Sequence, residues 1–125
     1  MSEPEPPPTL LLVDHEDRIL SALRRSQRRE GGRILPTSDP AEALRWLASE
    51  RIGAVLSDHK MRGTSGIELL EEAARLQPSA HRFLITGWPD AIPPERIAAI
   101  GVRALIPKPW DDATVKAMLR DALLP

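Results

Sequence analysis

Five short apolar runs alternate with five segments of helical spacing along these 125 residues, and that alternation limits the possible folds more than any other feature. The runs are Thr9-Leu10-Leu11-Leu12-Val13, Arg33-Ile34-Leu35-Pro36, Ala54 to Ser57, Arg82-Phe83-Leu84-Ile85-Thr86 and Val102 to Ile106. The first is apolar without interruption, which suits a strand covered on both faces. Parallel neighbours in a sheet need crossover connections, which helices supply. The pattern therefore predicts an α/β domain with a five-stranded parallel sheet and helices on both sides.

The intervening segments carry the signals of helices. From Arg18 to about Arg29, Ile19, Leu20, Ala22 and Leu23 mark one face and Arg24, Arg25, Arg28 and Arg29 another, with Gly31-Gly32 as the stop. Asp39-Pro40-Ala41-Glu42 reads as a cap, a proline at the first helical position and a glutamate behind it. Ala43, Leu44 and Leu47 form the stripe of that second helix, and Ser65 to about Leu76 the third. After Pro93-Pro94 only a short helix fits, and Asp111 caps a last one through Val115, Met118, Leu119 and Ala122. The second run holds Pro36, so it belongs at the sheet edge.

Composition narrows the function. The chain length fits one domain, since domains cluster at roughly 100–150 residues. With 3% aromatic residues, no Tyr and one Phe, the core must be aliphatic. A formal net charge of −1 gives no electrostatic reason for direct nucleic-acid or membrane binding. The absence of Cys removes disulfides, thiolate metal sites and cysteine catalysis. No apolar run approaches the roughly 20 residues of a membrane span. A cytoplasmic protein is the expectation. Met1 to Pro8, rich in Pro and Glu, is expected to be a flexible lead, with residues 9–124 as the folded domain.

Four polar residues fall where the predicted strands end: Asp14, Asp58, Thr86 and Lys108. In open parallel sheets, ligands bind beyond the carboxyl ends of the strands. Two carboxylates gathered there repel each other unless neutralised. Mg²⁺ does this with a few carboxylate oxygens, several waters and room for phosphate oxygens. A carboxylate beside it can act as a nucleophile toward a phosphoryl group. Lys108 offers a cation to the phosphoryl oxygens, and Thr86 a neutral hydroxyl.

Val13-Asp14-His15-Glu16, Ser57-Asp58-His59-Lys60-Met61-Arg62-Gly63 with Gly66, Leu84-Ile85-Thr86-Gly87 and Lys108-Pro109-Trp110 together resemble the receiver domain of two-component response regulators. The resemblance runs from about Thr9 to Leu124. It implies a flavodoxin-like (βα)5 three-layer sandwich with strand order 2-1-3-4-5. It also implies a non-enzymatic phosphorelay switch in which Asp58 takes a phosphoryl group from a sensor histidine kinase or a histidine phosphotransfer protein. Asp14, Asp58 and the backbone carbonyl of Lys60 would hold Mg²⁺, with Glu16 as a further candidate. Thr86 and Lys108 would engage the phosphoryl oxygens and signal toward the fourth helix and fifth strand. The face made by the fourth helix, fifth strand and fifth helix would serve an output domain, a downstream protein or a homodimer. The Lys108-Pro109 bond is expected to be cis.

The chain departs from the family in three places. His15 stands where a second acid is usual, so weakened Mg²⁺ affinity is expected. Leu105 stands where an aromatic often couples to the threonine. Pro93-Pro94 should stiffen or shorten the helix that carries the output. These departures keep a second reading open, a degenerate receiver that binds partners without being phosphorylated. A phosphatase or phosphotransferase is the third reading and the weakest, because Asp58-His59-Lys60 lacks the D-x-D pattern. His59 and His81 read as surface or turn residues. The arginines of the first helix read as a solvated face or, more sharply, a dock for an acidic partner.

Overall fold

The computed structural model describes residues 8–30 and 32–123; the expected N-terminal lead up to residue 7, Gly31, Leu124 and Pro125 lie outside them. The strands are β1 (Thr9–Val13), β2 (Arg33–Thr37), β3 (Ala54–Asp58), β4 (His81–Thr86) and β5 (Val102–Pro107). The helices are α1 (Asp17–Gln27), α2 (Pro40–Ser49), α3 (Gly66–Leu76), α4 (Pro94–Ile100) and α5 (Asp112–Leu123). The strands pair in parallel in the order β2-β1-β3-β4-β5, the flavodoxin-like arrangement.

Alternate residues of the central strands feed two separate cores. Leu11, Val13, Val55 and Leu84 pack with Ala43 and Leu47 of α2, Ile67, Leu70 and Ala73 of α3 and Ile100 of α4. Leu10, Leu12, Leu56, Phe83, Ile85 and Ile106 pack with Leu20 and Leu23 of α1 and Val115 and Leu119 of α5. The period-two side-chain alternation of a strand is thus the reason for the three layers. It also explains why β1 and β3 carry no solvent-facing polar stripe: all five residues of each are buried.

The helix boundaries follow the caps. Asp39 Oδ1 accepts from the Ala41 N–H at 3.0 Å, and Pro40 opens α2. Ser65 and Glu68 form a reciprocal capping box at α3. Asp111 Oδ2 accepts from the Thr114 N–H at 3.0 Å ahead of α5. α4 is seven residues long with Pro94 in its first turn and Gly101 in the left-handed conformation at its end. The helix begins at the second proline, with Pro93 as its cap residue. Pro36 sits in β2 at the sheet edge, where a missing N–H costs no ladder bond to a further strand. A 3₁₀ turn at Pro89–Ala91 links β4 to α4.

Candidate functional site

Register brings the predicted residues to one edge. Val13 pairs with Ser57, so Asp14 emerges level with Asp58, which itself pairs with Ile85. Thr86 pairs with Pro107, one residue before Lys108. The chain leaves β1 toward β2 on one side and returns to β3 on the other, so the crevice opens between β1 and β3. Asp14 and Asp58 flank it.

The two carboxylates are deeply enclosed: Asp14 is 0% exposed and Asp58 3%. Lys108 Nζ lies 3.0 Å from Asp14 Oδ2 and 3.1 Å from Asp58 Oδ1, bridging both. The peptide bond after it, Lys108–Pro109, is cis. The backbone fixes the other oxygens. The Glu16 N–H donates to Asp14 Oδ1 at 2.9 Å, and the His59 N–H to Asp58 Oδ1 at 2.8 Å. Asp14 Oδ2 accepts no hydrogen bond from a described residue and has the Lys108 ammonium as its ion-pair partner. Burial raises the Asp14 carboxyl above its ordinary range, with the Asp58 charge adding to the rise and Glu16 and Lys108 opposing it. For Lys108, burial pulls downward, but its close contacts with the negatively charged Asp14 and Asp58 outweigh it and hold the ammonium above its usual value.

His15 is the surprise. Its ring, 45% exposed, leans onto the neighbouring carboxylates: Nδ1 lies 2.5 Å from Asp58 Oδ2, and Nε2 lies 3.7 Å from Glu16 Oε1. By sequence His15 is a lost acid, with no sign of this contact. Nothing in the linear pattern signals it, because Asp58 lies 43 residues away.

Thr86 reaches the edge but does not join the cluster. Its hydroxyl is buried and accepts from the Trp88 N–H at 3.1 Å, while the Lys108 N–H donates to the Thr86 carbonyl at 2.9 Å. Lys60 follows Asp58 in the loop, and its ammonium lies 4.2 Å from the centroid of the Trp88 ring. That ring is 63% exposed. The stack ties the loop after β3 to the loop after β4 across the mouth, a second feature not anticipated from sequence. Leu105 packs against the core shared by α2, α3 and α4.

The donor set fits a divalent cation. The buried carboxylate oxygens of Asp14 and Asp58, one of them without a hydrogen bond from a described residue, are hard ligands of the kind Mg²⁺ takes. Asp14, His15 and Glu16 each offer a ligand atom within 4.8 Å of the others. The imidazole is the one member foreign to an oxygen-only set. No described helix is long and apolar enough to cross a membrane.

Comparison with known proteins is consistent with this geometry. A family model described as the response regulator receiver domain matches residues 10–120. The hydrogenase transcriptional regulatory protein HoxA of Cupriavidus necator is 35% identical over 105 residues, which is 82% of this chain and 21% of that protein. The transcriptional regulatory protein GlrR of Escherichia coli is 31% identical over 119 residues, 94% of this chain and 26% of that protein. The chain thus spans about a quarter or less of the length of these curated relatives. Among solved structures, the signal receiver domain of an HD domain-containing protein from Pseudomonas fluorescens Pf-5 superimposes with a TM-score of 0.88 at 30% identity, covering 98% of this chain and 91% of that one. A CheY-like receiver domain from Methanospirillum hungatei gives 0.84 at 25% identity, covering 93% of each.

Proposed function

The chain belongs to the response regulator receiver domain family, and from that premise we propose that it is a phosphorelay switch in which Asp58 accepts a phosphoryl group from a histidine kinase or a histidine phosphotransfer protein. The observation that carries this reading is the bridge of one lysine over two buried carboxylates at the mouth of the sheet.

In the proposed reaction an Asp58 carboxylate oxygen bonds to phosphorus while the P–N bond of the donor phosphohistidine breaks. The departing imidazole keeps the electron pair and takes a proton from water. Such transfer depends on positioning and charge stabilisation. Lys108, 3.1 Å from Asp58 Oδ1, stands where it can pair with a phosphoryl oxygen. The His59 N–H orients the carboxylate. The Thr86 hydroxyl would leave the Trp88 N–H for the phosphoryl group, and the loop after β4 would follow it toward α4 and β5. Asp14, Asp58 and the Lys60 carbonyl, with Glu16 alongside, would hold Mg²⁺, which would supply positive charge for the transferring group.

The domain proposed is residues 9–124, acting in the cytoplasm, with the α4–β5–α5 face read by an output domain, a downstream protein or a second copy. Leu105 supplies no ring to couple that face to Thr86, so the coupling would run through the backbone of β4 and β5, which pair at Thr86 and Pro107.

One observation favours a second reading, a receiver that binds partners without phosphorylation: His15 already occupies Asp58 Oδ2. Intact-mass measurement after incubation with a small-molecule phosphodonor and Mg²⁺ separates the two. A single phosphate adduct, absent in Asp58→Asn, supports the switch. No adduct, even with a histidine kinase supplied, supports the constitutive module.

A further inference from the structure

One imidazole stands among three carboxylates at the mouth of the sheet. His15 Nδ1 is 2.5 Å from Asp58 Oδ2 and 3.8 Å from Asp14 Oδ1, and its Nε2 is 3.7 Å from Glu16 Oε1. Ligand atoms of Asp14, His15 and Glu16 already lie within 4.8 Å of one another. An independent feature points to the same spot. The Asp14 side chain is completely buried, yet its Oδ2 accepts no hydrogen bond from a described residue. A buried acceptor left in this state is costly unless something cationic completes it, and the Lys108 ammonium alone serves two carboxylates at once.

An oxygen-only set suits Mg²⁺, which needs hard donors and keeps most of its water. Imidazole nitrogen suits the borderline first-row ions instead. Resting on the placement of a cation at Asp14 and Asp58 proposed above, we infer that His15 is a metal-selecting ligand, so that the site favours a borderline divalent cation of the Zn²⁺ class over Mg²⁺ more strongly than an all-oxygen site would. The hydrogen bond between His15 and Asp58 is then the cation-free arrangement, and a bound cation takes both atoms as ligands. Had the ring stood clear of Asp58, the substitution would only have removed a ligand. Its position inside the cluster makes it a donor of a different kind.

Nitrogen–oxygen sites in general bind Zn²⁺ more tightly than Mg²⁺, so the diagnostic is how much of the ratio depends on His15. Calorimetric titration of the whole chain with Zn²⁺ and with Mg²⁺, near neutral pH and without phosphodonor, measures it in the wild type, His15→Asp, His15→Ala and Asp14→Asn. The expected result is a Zn²⁺-to-Mg²⁺ affinity ratio that falls at least about tenfold in both His15 variants, with Zn²⁺ binding lost in Asp14→Asn. The ring nitrogens of His15 should also shift in the ¹⁵N spectrum on addition of Zn²⁺. An unchanged ratio, unperturbed ring nitrogens, or Zn²⁺ binding that survives Asp14→Asn overturns the inference while leaving the phosphoacceptor reading intact. If neither ion binds, this inference and the proposed cation site fall together. Phosphorylation of Asp58, tested by intact mass, is decided separately.

Discussion

A Cβ added to Gly66 would lie 2.1 Å from the carbonyl oxygen of Asp58 and 2.8 Å from the Cα of His59. The first residue of α3 is pressed onto the backbone that ends β3, and the Gly66 N–H donates to the His59 carbonyl at 2.7 Å. The loop that carries Lys60 is pinned at both ends by this contact. Both neighbours are backbone atoms and cannot swing aside, so Gly66→Ala should destabilise the domain by about 1–3 kcal/mol, the usual range for overpacking. Gly63 is a different case: φ is +83° with open space around it. Gly63→Ala should cost only about 1–2 kcal/mol of left-handed strain. Urea midpoints check the order of the two; a Gly66→Ala midpoint equal to wild type would contradict the contact.

Lys108 neutralises two buried carboxylates at once. Lys108→Met should therefore destabilise the metal-free protein by about 3 kcal/mol, since breaking a buried ion pair strands its partner. Adding Asp58→Asn removes one stranded charge and should recover at least about 1 kcal/mol of that loss in a double-mutant cycle. Strict additivity of the two substitutions would show that Lys108 and Asp58 do not interact.

The His81 imidazole, far from the acidic cluster, predicts a pH dependence. Burial first, and then the Arg103 and Arg82 charges, hold it below its ordinary value of 6.5, with Asp121 opposing. Arg103 Nη1 lies 3.0 Å from His81 Nδ1, a contact that needs this nitrogen unprotonated. A depressed histidine pKa means that the folded state binds fewer protons than the unfolded one. Its contribution is complete above 6.5 and is lost as the pH falls through the depressed folded value. His81→Gln should flatten the decline in Tm between about pH 7 and pH 5. A variant whose Tm falls as steeply as that of wild type would refute this.

The Lys60–Trp88 stack joins the loops after β3 and β4. Lys60→Met should remove about 0.5–1 kcal/mol, the size of a cation–π contact at an exposed site. It should also shift tryptophan emission to the red as the ring is freed. An unchanged emission maximum would mean that the stack does not hold the ring in solution.

Much of the fold was legible because its determinants are local. The uninterrupted apolar run at Leu10–Val13, the cap at Asp39 and Pro36 at an edge each act through residues within a turn or a strand of one another. The gathering of Asp14, Asp58 and Lys108 was legible for a related reason: strand ends in a parallel sheet meet at one edge whatever the loops do. The boundaries that moved, such as α1 ending at Gln27 instead of near Arg29, fall at helix ends that a few weak bonds decide.

The sequence by itself determined the alternation of strands and helices, the aliphatic core and the placing of four polar residues at one sheet edge, because periodicity, capping and apolar runs act over short range. Only the tertiary structure decided where side chains turn once they reach that edge. It set the His15 ring against Asp58, directed the Thr86 hydroxyl to the Trp88 N–H and laid Lys60 over Trp88. Each of these choices depends on charges and surfaces contributed by different loops. A rotamer with several staggered positions open to it takes the one that the assembled field of neighbours favours.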